Sequence, residues 1–214
     1  MINVKNLYLG FNKEFYALYN ISFHVNKGER VALVGEKDSG KTCLLRVLAG
    51  LESFNEGEVY VNNIPVKKIN YKTDCNMAYI PKSPLVMNNK TVKENLEYVL
   101  KIRKTDQTSI NFKVLTALKT YDIENIKDVK VKHLSEFQKM QLQLARASLR
   151  TVDLYLIDYI LEGFTKSEKE KLLMYLDVLS KENPATFVYA FKNEKTAGRF
   201  DAKVIKLKYG SIEN

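Results

Sequence analysis

The sequence predicts an α/β fold built around a mainly parallel β-sheet. Two short, continuously apolar runs, residues 31–34 and 154–157, are typical of strands that are covered on both faces. A helix is predicted directly after the first run, over residues 41–48, and Ala49-Gly50 ends it because glycine stops helices. Since strands alternate with helices along the chain, most of the strands should lie parallel.

The remaining elements are predicted from the same kinds of pattern. Strands are expected at residues 4–9, 21–25, 57–66 (a hairpin or two edge strands), 77–80, 186–191 and 203–207. Helices are expected at residues 91–101, 110–119, 136–149 and 166–181, the last closed by Pro184. Because strand patterns are scarce between residues 83 and 149, this segment is predicted to be a helical insert.

The composition is that of a globular chain. Its 214 residues are enough for a sizeable apolar core, and 45% of them are hydrophobic while 28% are charged. The formal net charge is +9, but the lysines are scattered and form no dense basic run, so we expect no nucleic-acid partner.

The number of cysteines and the length of the apolar stretches indicate the compartment in which the protein is expected. Cys43 and Cys75 are too few for a disulfide framework and lack metal-ligand spacing, which favours a reduced compartment. The first residues lack the pattern of a signal peptide, and no apolar stretch approaches the roughly 20 residues that cross a bilayer. Any membrane function is therefore expected to come through a partner chain.

One segment points directly to chemistry. The residues Gly35-Glu36-Lys37-Asp38-Ser39-Gly40-Lys41-Thr42 match the phosphate-loop pattern G-x-x-x-x-G-K-[ST]. Successive backbone N–H groups that open onto a helix N-terminus form a concave site for phosphate oxygens. Lys41 would neutralise the β and γ phosphates, and the Thr42 hydroxyl would ligate Mg²⁺. The alternative interpretation is a structural glycine-rich turn.

Two further residues complete the predicted ATP and Mg²⁺ site. Asp158 ends the apolar run 154–157, where a second Mg²⁺ ligand is expected, although an aspartate there also caps turns. Phe11 is a candidate to stack on the adenine ring, and the alternative is a plain core aromatic.

An ordered series of segments resembles the nucleotide-binding domain of ABC transporters over almost the whole chain. Residues 17–23, 27–35, 44–51, 56–59 and 91–96 are similar to consecutive parts of that domain. Leu134, Ser135 and Gln138, followed by residues 144–147, stand where the family's signature and its helix belong. The resemblance implies a P-loop NTPase fold. Its ATP-binding core would be residues 1–82 and 150–214 with an N-terminal antiparallel β subdomain, and its helical signature subdomain would be residues 83–149.

The sequence departs from the family at the positions that the resemblance associates with hydrolysis. Lys82 stands at the Q-loop glutamine position, and Tyr159 stands at the position of the general-base glutamate. Lys192 stands at the switch-histidine position, although the spacing leaves Phe191 possible. The remaining substitutions are Glu136 and Phe137 for the two signature glycines, and Thr165 for the D-loop aspartate.

These departures predict ATP binding with little or no hydrolysis. Loss of a positioned general base typically costs ~10²–10⁴ in rate, and a tyrosine that is neutral at pH 7 does not replace a carboxylate. Ser135 either retains a phosphate contact or caps its own helix with Gln138, a role that needs no ATP.

Lys82 and Lys192 introduce two cations, for which we consider two interpretations. One or both contact the γ-phosphate or Asp158 and partly replace Mg²⁺, so that ATP binding survives EDTA. Alternatively, both side chains point into solvent.

The favoured interpretation is a degenerate ATP-binding subunit of an ABC transporter complex, peripheral on the cytoplasmic face of the membrane. Its expected partners are a permease on a separate chain, whose short helix would dock near residues 85–96, and a second ABC subunit, identical or different. An active transporter ATPase with substitute residues and a regulatory or scaffold protein are the alternatives, and a small-molecule kinase fits the ordered segments less well.

Overall fold

The computed structural model describes residues 1–10, 16–70 and 74–213. Its strands are β1 (Ile2–Gly10), β2 (Tyr16–Val25), β3 (Arg30–Val34), β4 (Glu56–Val61), β5 (Ile64–Pro65), β6 (Met77–Ile80), β7 (Leu154–Ile157), β8 (Thr186–Phe191), β9 (Lys203–Lys208) and β10 (Ser211–Ile212). Its α-helices are α1 (Lys41–Leu48), α2 (Val92–Lys101), α3 (Gln107–Thr120), α4 (Glu136–Ser148), α5 (Lys166–Glu182) and α6 (Glu194–Gly198). Two 3₁₀ turns lie at Glu124–Ile126 and Val131–His133.

The central sheet has six strands in the order β10-β9-β3-β8-β7-β6. Strand β3 pairs in parallel with β8 and β9, and β7 pairs in parallel with β8, whereas β10 returns antiparallel to β9. Every residue of β7 and β8 is buried, as the continuous apolar runs predict. The mainly parallel α/β sheet expected from the sequence is therefore confirmed.

A smaller antiparallel sheet contains the N-terminal strands in the order β2-β1-β4-β5. Burial alternates along β1, where Ile2 and Val4 are buried and the residues between and after them are exposed. This period of two is that of a strand with one face toward a core and one toward water. The sheet confirms the antiparallel β subdomain that the resemblance implies.

The chain divides into two compact units. The first consists of residues 1–79, 152–159 and 184–214, and its core joins apolar side chains of both sheets with the buried face of α1. That face consists of Leu44, Leu45, Val47 and Leu48. The spacing places these four side chains on one side of a helix, and their burial fixes α1 at the end of β3.

The second unit consists of residues 80–151 and 160–183 and is helical. The predicted insert, 83–149, lies within it, while residues 160–183, assigned to the core from the sequence, are grouped with it because α5 packs beside α4. Gln141 of α4 donates from Nε2 to the hydroxyl of Tyr175 on α5, at 3.1 Å. No helix of the described residues is long and apolar enough to cross a membrane.

Candidate functional site

The phosphate loop, residues 35–42, connects β3 to α1 in the first unit. A side chain at Gly35 would place its Cβ 2.2 Å from the carbonyl oxygen of Leu207, so only glycine fits there. Gly40 has a φ of +96°, and a Cβ there would lie 2.6 Å from the carbonyl oxygen of Ala17. Close approach of neighbouring backbone thus requires glycine at both positions of the pattern, which supports a phosphate loop of defined conformation.

The N-terminus of α1 differs from those of the other α-helices of the described residues. Helices α2 to α6 each begin at a side-chain cap, namely Thr91, Asp106, Ser135, Thr165 and Asn193. Helix α1 begins after Gly40, which provides no side-chain cap, and its first turn has no acidic residue. The N–H groups of a first helical turn need acceptors from outside the helix, and an anion supplies them.

Lys41 is held by its own loop. Its Nζ donates to the carbonyl oxygens of Gly35 and Glu36, at 2.7 and 2.6 Å, and to Ser39 Oγ at 2.8 Å. Burial lowers the pKa of Lys41, and the nearby Asp158 carboxylate partly opposes that shift. The ammonium group is therefore fixed within the loop and only partly compensated by negative charge, an arrangement that favours an anionic ligand.

The two predicted Mg²⁺ ligands lie in direct contact. Thr42 Oγ1 donates to Asp158 Oδ1 at 2.9 Å, across 116 residues of sequence. Asp158 is buried, and the same Oδ1 accepts from the backbone N–H of Tyr159 at 2.8 Å. A hydroxyl and a carboxylate oxygen beside a phosphate loop fit Mg²⁺, which takes one or two protein ligands and completes its shell with phosphate oxygens and water. When bound, the metal would neutralise phosphate charge.

Tyr79 is a neighbour of Asp158 that no sequence motif marks. Its hydroxyl lies 3.5 Å from Asp158 Oδ2, and burial together with this carboxylate raises the pKa of Tyr79. The contact joins residues that are 79 positions apart, so no local pattern could have indicated it. Phe11, the predicted adenine-stacking residue, lies outside the described residues.

Lys82 and Lys192, for which the sequence left two interpretations, each pair with a carboxylate. Lys192, which follows β8, lies with its Nζ 3.2 Å from Glu36 Oε2 of the phosphate loop. Lys82 forms an ion pair with Glu162 in the second unit. Lys192 thus pairs with the loop rather than with Asp158, and neither lysine simply points into solvent. Contact with a γ-phosphate stays a prediction.

The segment at the signature position is occupied by contacts internal to the second unit. Ser135 Oγ accepts from the backbone N–H of Gln138, and the Gln138 side chain accepts from Ser135 N–H, so the two residues form a capping box for α4. The preceding Leu134 is buried. Phe137 packs edge-on against Phe164, with ring centroids 6.0 Å apart. The capping interpretation of Ser135 therefore accounts for its side chain.

The other substituted positions also have local partners. Glu136 pairs with Lys139 at 2.7 Å on the same helix. Thr165 caps α5 through a capping box with Glu168. Thr165, which the resemblance places at an aspartate position, thus stabilises a helix N-terminus.

Comparison with known proteins places these features in a family. Residues 18–160 match the family described as ABC transporter. The chain is 27% identical over 214 residues to the spermidine/putrescine import ATP-binding protein PotA of Legionella pneumophila (strain Philadelphia 1), covering all of this chain but only 58% of PotA. It is 28% identical over 224 residues to the phosphonates import ATP-binding protein PhnC of Fusobacterium nucleatum, covering 99% of this chain and 90% of PhnC.

A solved structure supports the same assignment. The dimeric bacterial ABC transporter cassette MJ0796 superposes with a TM-score of 0.85 at 25% identity, covering 100% of this chain and 97% of the other. The mainly parallel sheet, the antiparallel subdomain and the helical unit are thus those of an ATP-binding cassette.

Proposed function

The chain belongs to the ABC transporter family, and on that premise we propose that it is the ATP-binding subunit of a transport complex, one that binds ATP with little or no hydrolysis. The observation that carries the proposal is the contact between Thr42 and Asp158, which lies beside the intact phosphate loop. Because PotA and PhnC are import ATP-binding proteins, import is the direction we favour.

Phosphate binding is assigned to the loop and to the first turn of α1. The uncapped N–H groups would donate to the phosphate oxygens, and Lys41 would exchange some of its three hydrogen bonds within the loop for bonds to phosphate. Thr42 and Asp158 would hold Mg²⁺.

Slow hydrolysis is assigned to Tyr159 and Lys192. Tyr159 follows the Mg²⁺ ligand where the family has its general-base glutamate, and a phenol does not accept a proton from water at neutral pH. Lys192, at the family's switch-histidine position, is engaged by Glu36. We therefore propose that ATP acts as a conformational clamp rather than as a fuel.

The proposed partners are a permease on a separate chain and a second ABC subunit. Leu85 is 66% exposed and lies at the start of segment 85–96, whose exposed residues we assign to contact with a short permease helix. Through that partner the chain would sit peripherally on the inner face of the membrane. The partner ABC subunit is the same chain or a relative. In a homodimer, both sites would lack the signature glycines and the general base.

The first experiment is calorimetric titration of ATP into the purified chain, with Mg²⁺ and with EDTA, beside a phosphate-release assay. We expect saturable binding that Lys41→Ala abolishes, and phosphate release near background. Circular dichroism of Lys41→Ala checks that the variant remains folded. Turnover that Lys41→Ala abolishes would instead identify an active ATPase.

The EDTA titration tests the role of the lysines. Binding that persists without Mg²⁺, and that Lys192→Gln removes, would support replacement of the metal by Lys192. Binding that disappears in EDTA would contradict it. No binding at millimolar ATP, in the chain and in its native complex, would favour a scaffold.

A further inference from the structure

A cavity lies beside the phosphate loop in the first unit. It has a volume of about 510 Å³ and is lined by residues of the loop (35–39), of the segment after β8 (192–194), of the end of β9 and its turn (206–209), and by Val34 and Glu213. This volume is within the range of about 300–1,000 Å³ that is typical of sites for small molecules. The lining thus includes both the phosphate loop and the turn after β9.

The charges that line the cavity largely neutralise one another. Three lysines pair with carboxylates, in the pairs Lys192–Glu36, Lys206–Glu194 and Lys208–Glu213, at 3.2, 2.8 and 3.2 Å. The two other charged residues, Lys37 and Asp38, have opposite signs. Among the residues that the structure describes, the cavity lining therefore has no excess of positive charge for a second phosphate.

The cavity lining also includes apolar and aromatic side chains. Val34, Leu207 and Tyr209 contribute them. Val34 and Leu207 are buried, whereas Tyr209 is 85% exposed. The described contact of the Tyr209 ring is with the Lys208 ammonium group, 5.9 Å from the ring centroid. A large aromatic ring is thus displayed at a cavity wall with little protein packed on it.

The backbone at Tyr209 is held firmly in an unusual conformation. Tyr209 and Gly210 form the two-residue turn between β9 and β10, since Ser211 pairs with Lys208. Tyr209 has a φ of +48°, a region where asparagine is common and an aromatic residue is rare. The Gly210 carbonyl accepts from the backbone N–H of Tyr19 of β2 at 2.8 Å, which ties the turn to the N-terminal sheet. The position of the turn is therefore held by backbone hydrogen bonds and does not depend on the ring of Tyr209.

We propose that Tyr209 stacks on the base of a nucleotide whose phosphates occupy residues 35–42. The proposal rests on the proposed ATP-binding function. It deepens that function by assigning a base-contacting ring on the turn after β9, in addition to the Phe11 expected from the sequence. A flat, uncharged base suits a cavity whose described charges balance and whose lining includes apolar side chains, and an aromatic ring such as that of Tyr209 stacks on any base.

The test compares a ligand that has a base with one that lacks it. ATP and inorganic tripolyphosphate are titrated, in the presence of Mg²⁺, into the wild-type chain and into Tyr209→Asn. Asparagine is well suited to the turn conformation, so Tyr209→Asn should fold at least as stably as the wild type. We expect it to weaken ATP binding about tenfold and to leave tripolyphosphate binding unchanged.

Two matched variants isolate the ring. Tyr209→Phe keeps the aromatic face and should bind ATP as the wild type does. Tyr98→Ala removes another exposed tyrosine, on α2 in the second unit, and should also leave both affinities unchanged.

The outcomes separate the stacking role from the proposed function. Unchanged ATP affinity in Tyr209→Asn, or an equal loss of affinity for ATP and tripolyphosphate, would overturn the stacking role. Binding of ATP by the wild-type chain would still support the proposed ATP-binding function. If the wild-type chain bound neither ligand, the proposed ATP-binding function and the stacking role of Tyr209 would both be contradicted. A base-dependent loss in Phe11→Ala without one in Tyr209→Asn would assign stacking to Phe11 alone.

Discussion

Lys192 Nζ lies 3.2 Å from Glu36 Oε2, so the residue that follows β8 is joined to the second residue of the phosphate loop. The two side chains are 54% and 76% exposed, and an ion pair so open to water contributes about 0–1 kcal/mol to stability. Its importance is therefore electrostatic. Glu36 places a negative charge on a loop of the phosphate-loop pattern, and it pairs with the Lys192 ammonium group.

Replacing Glu36 should strengthen nucleotide binding. Glu36→Gln removes the repulsion of phosphate and releases Lys192, so we expect ATP affinity to rise about two- to fivefold at low ionic strength. The gain should shrink at high ionic strength because salt screens exposed charges. Calorimetry at two salt concentrations measures both effects. Asp177→Asn, which breaks an exposed ion pair with Lys181 on α5, is the control, and a weaker affinity in Glu36→Gln would contradict the prediction.

Replacing the Thr42 hydroxyl should abolish most of the Mg²⁺ dependence of ATP binding. Thr42→Val removes one predicted metal ligand, so affinity in Mg²⁺ should fall about tenfold or more while affinity in EDTA stays the same. The change also deprives the buried Asp158 of a partner and should lower the free energy of unfolding by about 1–3 kcal/mol. Thr42→Ser keeps the hydroxyl and should bind like the wild type. An equal loss with and without Mg²⁺ would argue against a metal role.

Much of the fold near the site could be predicted because its signals are local. Helix α1 was predicted and observed at the same residues, since Gly40 and Ala49-Gly50 mark its two ends. Strand β7 was likewise predicted at its observed bounds from an unbroken apolar run. The contact between Thr42 and Asp158 follows from topology, because both residues lie beyond the carboxyl ends of parallel strands in one sheet.

Other features could not be predicted because they depend on distant parts of the chain or on very short segments. Helix α6 has five residues and β10 has two, which is too short for a periodic pattern. The contacts of Tyr79 with Asp158 and of Lys192 with Glu36 join side chains that are far apart in sequence. Their partners are set by strand order, which single-sequence periodicity does not encode.

Ser135 should matter for stability rather than for ATP binding by the isolated chain. Ser135→Ala removes the capping box of α4, so we expect a loss of about 1 kcal/mol in the free energy of unfolding without nucleotide. ATP affinity should be unchanged. Thr165→Ala, which removes the capping box of α5, provides a matched comparison and should cost a similar amount. Denaturant unfolding and calorimetry decide the matter, and a stability that rises or stays constant in Ser135→Ala would reject the capping role.

Tyr175 should make the stability of the protein fall in alkaline solution. Its hydroxyl donates to Asp122 Oδ2 at 2.8 Å and accepts from Gln141 Nε2 at 3.1 Å. Burial, followed by the hydrogen bond to Asp122, raises the pKa of Tyr175 to about 12. In the unfolded chain a tyrosine titrates near ~10. The stabilisation is therefore complete below pH ~10 and is lost as the pH rises from there toward about 12, because only the unfolded state releases the proton.

The variant Tyr175→Phe isolates this contribution. At neutral pH it should lower the free energy of unfolding by about 1 kcal/mol, since the hydrogen bonds are lost while the ring packing remains. Its stability should then fall less steeply than that of the wild type above pH ~10, so that the difference between the two proteins shrinks. Urea unfolding at several pH values measures the difference. Tyr98→Phe, at the half-exposed Tyr98, serves as the control. A difference in stability between Tyr175→Phe and the wild type that stays constant above pH ~10 would contradict the assignment, because the raised pKa of Tyr175 requires the wild type to lose stability there.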